Sequence, residues 1–154
     1  MLRESAGGDA AFVELEVDEP LLAELVQDRP AQLKAIRRTG ARFVIDHYGR
    51  TQGAISLLQH GFVSGFKIDK SLTLQLGNSM RIRMMFRAIA ALGKSLGLSV
   101  SAEGVEDTAQ QVFVTTARCD VMQGNGLCRP LTPEAFEALL MSDDDSFTRR
   151  QPAP

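Results

Sequence analysis

Five short apolar runs each end on a polar or charged residue, and a segment with helical spacing follows each one. This alternation constrains the 154-residue chain more than any other feature. The runs are Phe12-Val13-Glu14-Leu15-Glu16, Arg42-Phe43-Val44-Ile45-Asp46, Gly65-Phe66-Lys67-Ile68-Asp69, Leu98-Ser99-Val100-Ser101-Ala102-Glu103 and Cys119-Asp120-Val121-Met122-Gln123. Strands that alternate with helices build a parallel sheet. Ligands of such sheets bind at the carboxyl ends of the strands. Glu16, Asp46, Lys67, Glu103 and Gln123 are therefore expected to converge on one face.

The bulk numbers narrow the class. The length gives a prior of one domain with a real core. Hydrophobic content of 44% and charged content of 23% are ordinary for a globular protein. A net charge of -2 leaves no electrostatic footprint for nucleic acid. No apolar stretch approaches the ~20 residues of a membrane span, and the opening Met-Leu-Arg-Glu-Ser-Ala-Gly-Gly has no apolar stretch like that of a secretory signal. Cytoplasmic residence is the expectation. Cys119 and Cys128 have no histidine at zinc-ligand spacing and read as small, partly buried residues rather than a disulfide or metal pair.

Residues 1–11 read as a flexible lead-in, 12–141 as the domain and 142–154 as a disordered, solvated tail. Asp18-Glu19-Pro20 signals a helix start, and Pro30 breaks or restarts that helix. Short helical spacing returns over 51–60, and a loop is expected around Gly77-Asn78. The strongest helix spans about 80–96, with Ile82, Met85, Phe86, Ile89, Leu92 and Leu96 on one face. Its Met80, Met84 and Met85, beside Arg81, Arg83 and Arg87, suit an adaptable partner surface; the alternative is a core Met85 with solvated arginines. A helix follows over about 107–118. Thr132-Pro133-Glu134 opens a last helix, with Phe136, Leu139 and Leu140 expected inside.

Carboxylates from different strands at one end of a sheet suit hard divalent cations such as Mg2+. A metal there polarises a phosphoryl oxygen and activates water, and a neighbouring lysine steadies the developing charge. Each residue also has a plain structural reading. An acid after a strand caps helices, Lys67 could guard a sheet edge, and Gln123 before Gly124 suits a turn.

The motifs resemble those of the EAL domain, the phosphodiesterase module of cyclic di-GMP signalling. Glu16-Val17-Asp18-Glu19 is similar to its E-x-T-E segment and Asp46-His47-Tyr48-Gly49 to D-D-F-G. Phe66-Lys67-Ile68-Asp69 resembles L-K-I-D, and Ala102-Glu103-Gly104-Val105-Glu106 is A-E-G-V-E unchanged. Gln123-Gly124-Asn125, with Pro130 beyond, resembles Q-G-Y…P. The resemblance implies an α/β fold, a TIM-like (β/α) barrel. It implies metal ligation by Glu16 and Asp46, with His47 replacing a ligand Asp. It assigns Lys67 and Glu103 to the attacking water and Glu106 and Gln123 to substrate binding. The implied cofactor, if any, is Mg2+ or Mn2+, and the implied reaction is hydrolysis of cyclic di-GMP to the linear dinucleotide.

The departures shape the expectation. The Glu-Ala-Leu signature is absent from its place; Glu137-Ala138-Leu139 spells it, but in the last helix. No Asn-bearing strand precedes Glu16, and Arg50-Thr51 stands where the family loop has Thr-Gly. The chain is therefore expected to be an N-terminally truncated, partial barrel of about five of eight strand–helix units. An open, flavodoxin-like five-stranded sheet is the alternative. Phe43, Ile45, Phe66 and Val100 need cover if they line a bared inner face, which invites self-association or a protein partner. A degenerate, inactive binding or regulatory module, with cyclic di-GMP as a candidate ligand, is the favoured expectation. A phosphodiesterase completed by a missing part or another chain is the alternative. Neither nucleic acid nor membrane is expected as a partner.

Overall fold

A computed structural model describes residues 13–50 and 55–142. The elements run β1 (Glu14–Asp18), α1 (Glu19–Asp28), α2 (Pro30–Arg38), β2 (Arg42–Tyr48), α3 (Ile55–Leu58), β3 (Val63–Ile68), α4 (Lys70–Thr73), α5 (Met80–Ser95), β4 (Ser99–Ala102), α6 (Thr108–Thr116), β5 (Val121–Met122) and α7 (Pro133–Met141). The expected lead-in, Phe12, the start of the 51–60 helix and the tail from residue 143 lie outside the described residues. Among the described residues no helix is long and apolar enough to cross a membrane.

Among the described residues all five strands are parallel and pair in sequence order, β1-β2-β3-β4-β5. Crossovers between sequential parallel neighbours are right-handed as a rule and put the connecting helices on one side of a sheet, as in a (β/α) barrel; Leu22 of α1, Leu33 of α2, Phe86 of α5 and Val114 of α6 accordingly share one core cluster with the strands. A doubly wound sheet needs a reversal in strand order, and none occurs here, so the flavodoxin-like alternative is excluded. The fold is α/β, a five-stranded parallel segment of a TIM-like barrel.

The register sorts the side chains. One rung runs Val17, Ile45, Phe66, Val100, and these pack into the core beneath the helices. Gly93 of α5 sits directly over that rung; a Cβ there would lie 2.4 Å from Val100 Cγ2 and 2.8 Å from the Phe66 ring. Tyr48 stacks on Phe66 with centroids 4.3 Å apart. Burying a side chain such as Phe66 stabilises by roughly 1.5–3 kcal/mol, and truncating it to Ala costs about 3–5 kcal/mol. Successive strand residues alternate between faces, so the helix-free face carries Glu16, Val44, Gly65 and Ser99, then Asp18, Asp46, Lys67 and Ser101. A register shift between Phe43 and Val44 keeps Phe43 opposite Val63 on the core side. The expected need to cover Phe43, Ile45, Phe66 and Val100 is thus met within the chain. The open face is mostly polar.

Three expectations for the helices change. On the inward face of α5, Phe86, Ala90 and Gly93 are buried and Ile82, Ile89 and Leu92 pack against the core as expected, but Met85 is 43% and Leu96 50% exposed, not core. Arg83 and Arg87 are not simply solvated: their guanidinium carbons lie 5.7 Å and 5.0 Å from the Phe113 ring centroid. In α7 the Thr132 hydroxyl accepts from the Ala135 N–H at 3.3 Å, as expected of a cap. Phe136 and Leu140, however, are 51% and 63% exposed rather than inside. The turn α4 was not anticipated; Asp69 caps it by accepting from the Ser71 N–H at 2.8 Å.

Candidate functional site

β3 is a central strand, so Lys67 is no edge lysine. Its side chain rises from the helix-free face among carboxylates from three other strand ends. Lys67 Nζ lies 2.6 Å from Glu103 Oε1, 2.9 Å from Glu16 Oε2 and 3.8 Å from Asp46 Oδ1. Burial, the largest influence, pulls the Lys67 pKa down. The hydrogen bonds and charges of Glu103 and Glu16 together outweigh it, so the net direction is upward and the amine stays charged. The ordinary capping reading does not describe Glu16, Asp46 or Glu103.

A second cluster sits at the ends of β1 and β2. His47 adopts a left-handed backbone with φ 53, uncommon for a residue with a side chain. Regular strands send neighbours to opposite faces; this bend, at a register irregularity in β2, brings Asp46 and His47 together. The His47 N–H donates to Asp46 Oδ1 at 2.9 Å. His47 Nδ1 lies 3.3 Å from Asp46 Oδ2 and 3.0 Å from Asp18 Oδ1. The hydrogen bond with Asp18 does most to raise the His47 pKa. Burial opposes it, and the charges of Asp46, Glu103 and Asp18 add to it.

Asp18 occupies the N-cap position of α1, yet its side chain makes no capping hydrogen bond; it turns to His47 instead. In the sequence Asp18 reads as a helix-start signal and as part of the Glu16-Val17-Asp18-Glu19 motif, without a ligand role of its own. The clue was available: an acid two residues after Glu16 in a strand shares its face. Ligand atoms of Asp18, Asp46 and His47 all lie within 4.8 Å of one another, and two carboxylates with an imidazole form a donor set that fits a divalent cation. They open on a cleft of about 350 Å³, also lined by Glu19, Leu21 and Arg50.

Glu106 and Gln123 stand apart from both clusters. Both are exposed, and among the described residues no hydrogen bond ties their side chains to Lys67. Their backbones do frame the site. The Gln123 N–H donates to Ala102 O at 2.9 Å and the Val105 N–H to Gln123 O at 3.1 Å. The Glu106 N–H donates to Gln110 Oε1 at 2.6 Å. This junction requires Gly124, because a Cβ there would meet Val105 O at 2.1 Å. The cysteines are free, as expected. Burial, with the Asp120 charge adding and Lys94 opposing, pushes the Cys119 thiol up to about 12.

Comparisons place this geometry among known proteins. The family model described as the EAL domain matches residues 1–130. The chain is 33% identical over 137 residues to the cyclic di-GMP phosphodiesterase NbdA of Pseudomonas aeruginosa, covering 89% of this chain and 18% of that protein. It is 32% identical to the signaling protein YkoW of Bacillus subtilis, covering 84% of this chain and 16% of that protein. It therefore spans less than a fifth of the length of these relatives. Among solved structures, the EAL domain of Mycobacterium smegmatis DcpA superposes with a TM-score of 0.80 at 29% identity, covering 90% of this chain and 62% of that one. The PaMucR phosphodiesterase, solved as a c-di-GMP complex, gives 0.74 at 30% identity, with 87% and 54% covered. The manganese/cy-diGMP complex of Klebsiella pneumoniae BlrP1 gives 0.74 at 26% identity, with 82% and 32% covered. With the family match running from the first residue past the last strand, this chain belongs to the EAL domain family.

Proposed function

We propose that this chain is a cyclic di-GMP-recognition module that holds the nucleotide at the carboxyl ends of its strands and, by itself, does not cleave it. One observation carries the second half of this reading. Among the described residues the donor atoms gather for one cation, at Asp18, Asp46 and His47, while Glu16 and Glu103 are engaged by Lys67. Two-metal hydrolysis clamps both the attacking and the leaving oxygen, and one donor group serves only one of those tasks.

A divalent cation, Mg2+ or Mn2+, held there supplies a positive centre for a phosphodiester oxygen. Lys67 supplies a fixed ammonium beside it, and Arg50 adds a cation at the cleft rim. Glu16 and Glu103 hold Lys67 charged and aimed along the sheet face. The Glu106 and Gln123 segments, joined through backbone hydrogen bonds next to Glu103, would offer exposed side chains to the nucleotide. In this role the module would act through a protein partner or a second copy. The alternative, a phosphodiesterase completed by another chain, draws on β1, which has a strand neighbour on only one side among the described residues.

Calorimetric titration of the purified chain with cyclic di-GMP, with and without Mg2+ or Mn2+, tests the reading when followed by chromatography of the nucleotide. Binding heat with intact nucleotide is the expected result. Linear product overturns the inactive assignment, and absence of binding overturns the ligand.

A further inference from the structure

Two exposed helix faces of this chain carry opposite charge. Helix α5 holds four cations and no acid. Its buried residues are Phe86, Ala90 and Gly93, so at about 3.6 residues per turn the opposite stripe is Met80, Met84, Ala88 and Ala91, all exposed. Arg81 flanks that stripe. Lys94 is taken by Asp120, but among the described residues no carboxylate lies within ion-pair distance of Arg81, Arg83 or Arg87.

Helix α7 has the converse make-up. It holds Glu134 and Glu137 and no cation, and none of its residues is buried. Phe136 and Leu140, one turn apart, are both exposed, with Glu137 beside them on the helix surface. We infer that α7 of one copy docks on α5 of a second copy, and that a two-fold axis repeats the contact, giving a closed dimer. The inference concerns the outer helices and not the strand-end face, so it does not depend on nucleotide or cation binding there.

Charge decides the pairing. Setting α5 against α5, or α7 against α7, faces like charges, which costs several kcal/mol. Setting α7 against α5 brings Glu134 and Glu137 to a helix whose Arg81 has no partner. Arg83 and Arg87 lie over Phe113 and add their charge from the side. The apolar surfaces also match. Methionine side chains are unbranched and adapt to what they meet, so Met80 and Met84 can pack around Phe136 and Leu140. Ala88 and Ala91 project little and allow the close helix approach that such a contact needs. An unrelated acidic helix could lie on α5 but would leave α7 open. A second copy covers both faces with one operation, since each partner supplies one α5 and one α7.

The test is sedimentation of the full chain over a range of concentration, with charge reversals at Arg81 and Glu137. Arg81→Glu puts an acid in the first turn of α5, which the helix dipole favours, so its circular dichroism spectrum is expected to be unchanged. Each of Arg81→Glu and Glu137→Arg, alone, is expected to weaken the dimer at least about tenfold. Mixing the two variants pairs Glu with Arg at both contacts and is expected to restore association to within about threefold of the parent. Raising the salt is expected to weaken the parent dimer. A parent that stays monomeric, a single variant that associates like the parent, or a mixture that fails to recover overturns the inference.

Discussion

Lys67 on β3 and Glu103 just beyond β4 meet at 2.6 Å between Nζ and Oε1, with Glu16 from β1 on the other side of the amine at 2.9 Å. Lys67 thus ties one edge strand to the centre of the sheet and neutralises carboxylates that would otherwise repel. Lys67→Met leaves them crowded without their cation. Breaking a buried pair costs about 3–5 kcal/mol, but Glu16 is half-exposed, so the expected loss is about 2 kcal/mol by urea unfolding. The pH dependence follows from the raised pKa. The stabilisation is fully present below the unfolded value of 10.5 and is lost as pH rises through the higher folded value. The deficit of the variant is therefore expected to shrink in alkali.

Asp69 gives the opposite sign. Burial, the largest influence, raises its pKa, but the two hydrogen-bonding influences of Ser71 and the charges of His47 and Arg50 together lower it below the ordinary 3.8. Its capping of α4 therefore stabilises above the unfolded value and is lost as pH falls through the lower folded one. Asp69→Ala is expected to cost about 1 kcal/mol near neutrality. That difference from the parent should narrow below pH 3.8 in acid unfolding curves.

The alternation of strands and helices was legible because burial on the helix side demands β-branched and aromatic residues at every second position, as in Phe43 and Ile45 of β2 and Phe66 and Ile68 of β3. Lys67, Glu103 and Asp46 were legible as a group because a parallel sheet gathers strand ends. Asp18 was overlooked because its local reading as a helix-start residue outweighed the face it shares with Glu16, and the tertiary placement of His47 draws it from the cap. The His47 bend was equally hidden, since no local turn signal forces φ 53 on a histidine. The α5 stripe misled at Met85 because helical spacing tolerates a neighbour on the rim of the buried face. The exposure of α7 could not be read either, since an amphipathic pattern does not name its cover.

Gly124 and Gly77 separate packing from backbone freedom. A Cβ at Gly124 meets the Val105 backbone at 2.1 Å, whereas one at Gly77 meets nothing within 4 Å. Gly124→Ala must push apart the Glu103–Glu106 segment and the Gln123 end, at a cost of about 3 kcal/mol or more. Gly77→Ala is expected to be neutral or stabilising by about 0.5 kcal/mol through the unfolded chain. Equal melting temperatures for the two variants would show that the junction yields freely.

Arg83 and Arg87 report on packing rather than association. Both guanidinium groups lie over Phe113 of α6, and Arg83 Nε donates to Leu76 O at 2.6 Å. Phe113 in turn meets Phe86 edge-on at 5.7 Å. Replacing both arginines by Glu removes two cation–π contacts at about 0.5–1 kcal/mol each and one hydrogen bond at about 1 kcal/mol. The expected outcome is a loss of about 2 kcal/mol in urea unfolding, so a change in sedimentation of this variant cannot be assigned to a surface contact alone. Met84 is the cleaner probe, being 68% exposed beside Met80 at 73%. Met84→Glu is expected to leave stability within about 0.5 kcal/mol. If α5 carries a contact between copies, that substitution shifts the sedimentation profile toward the monomer at unchanged stability.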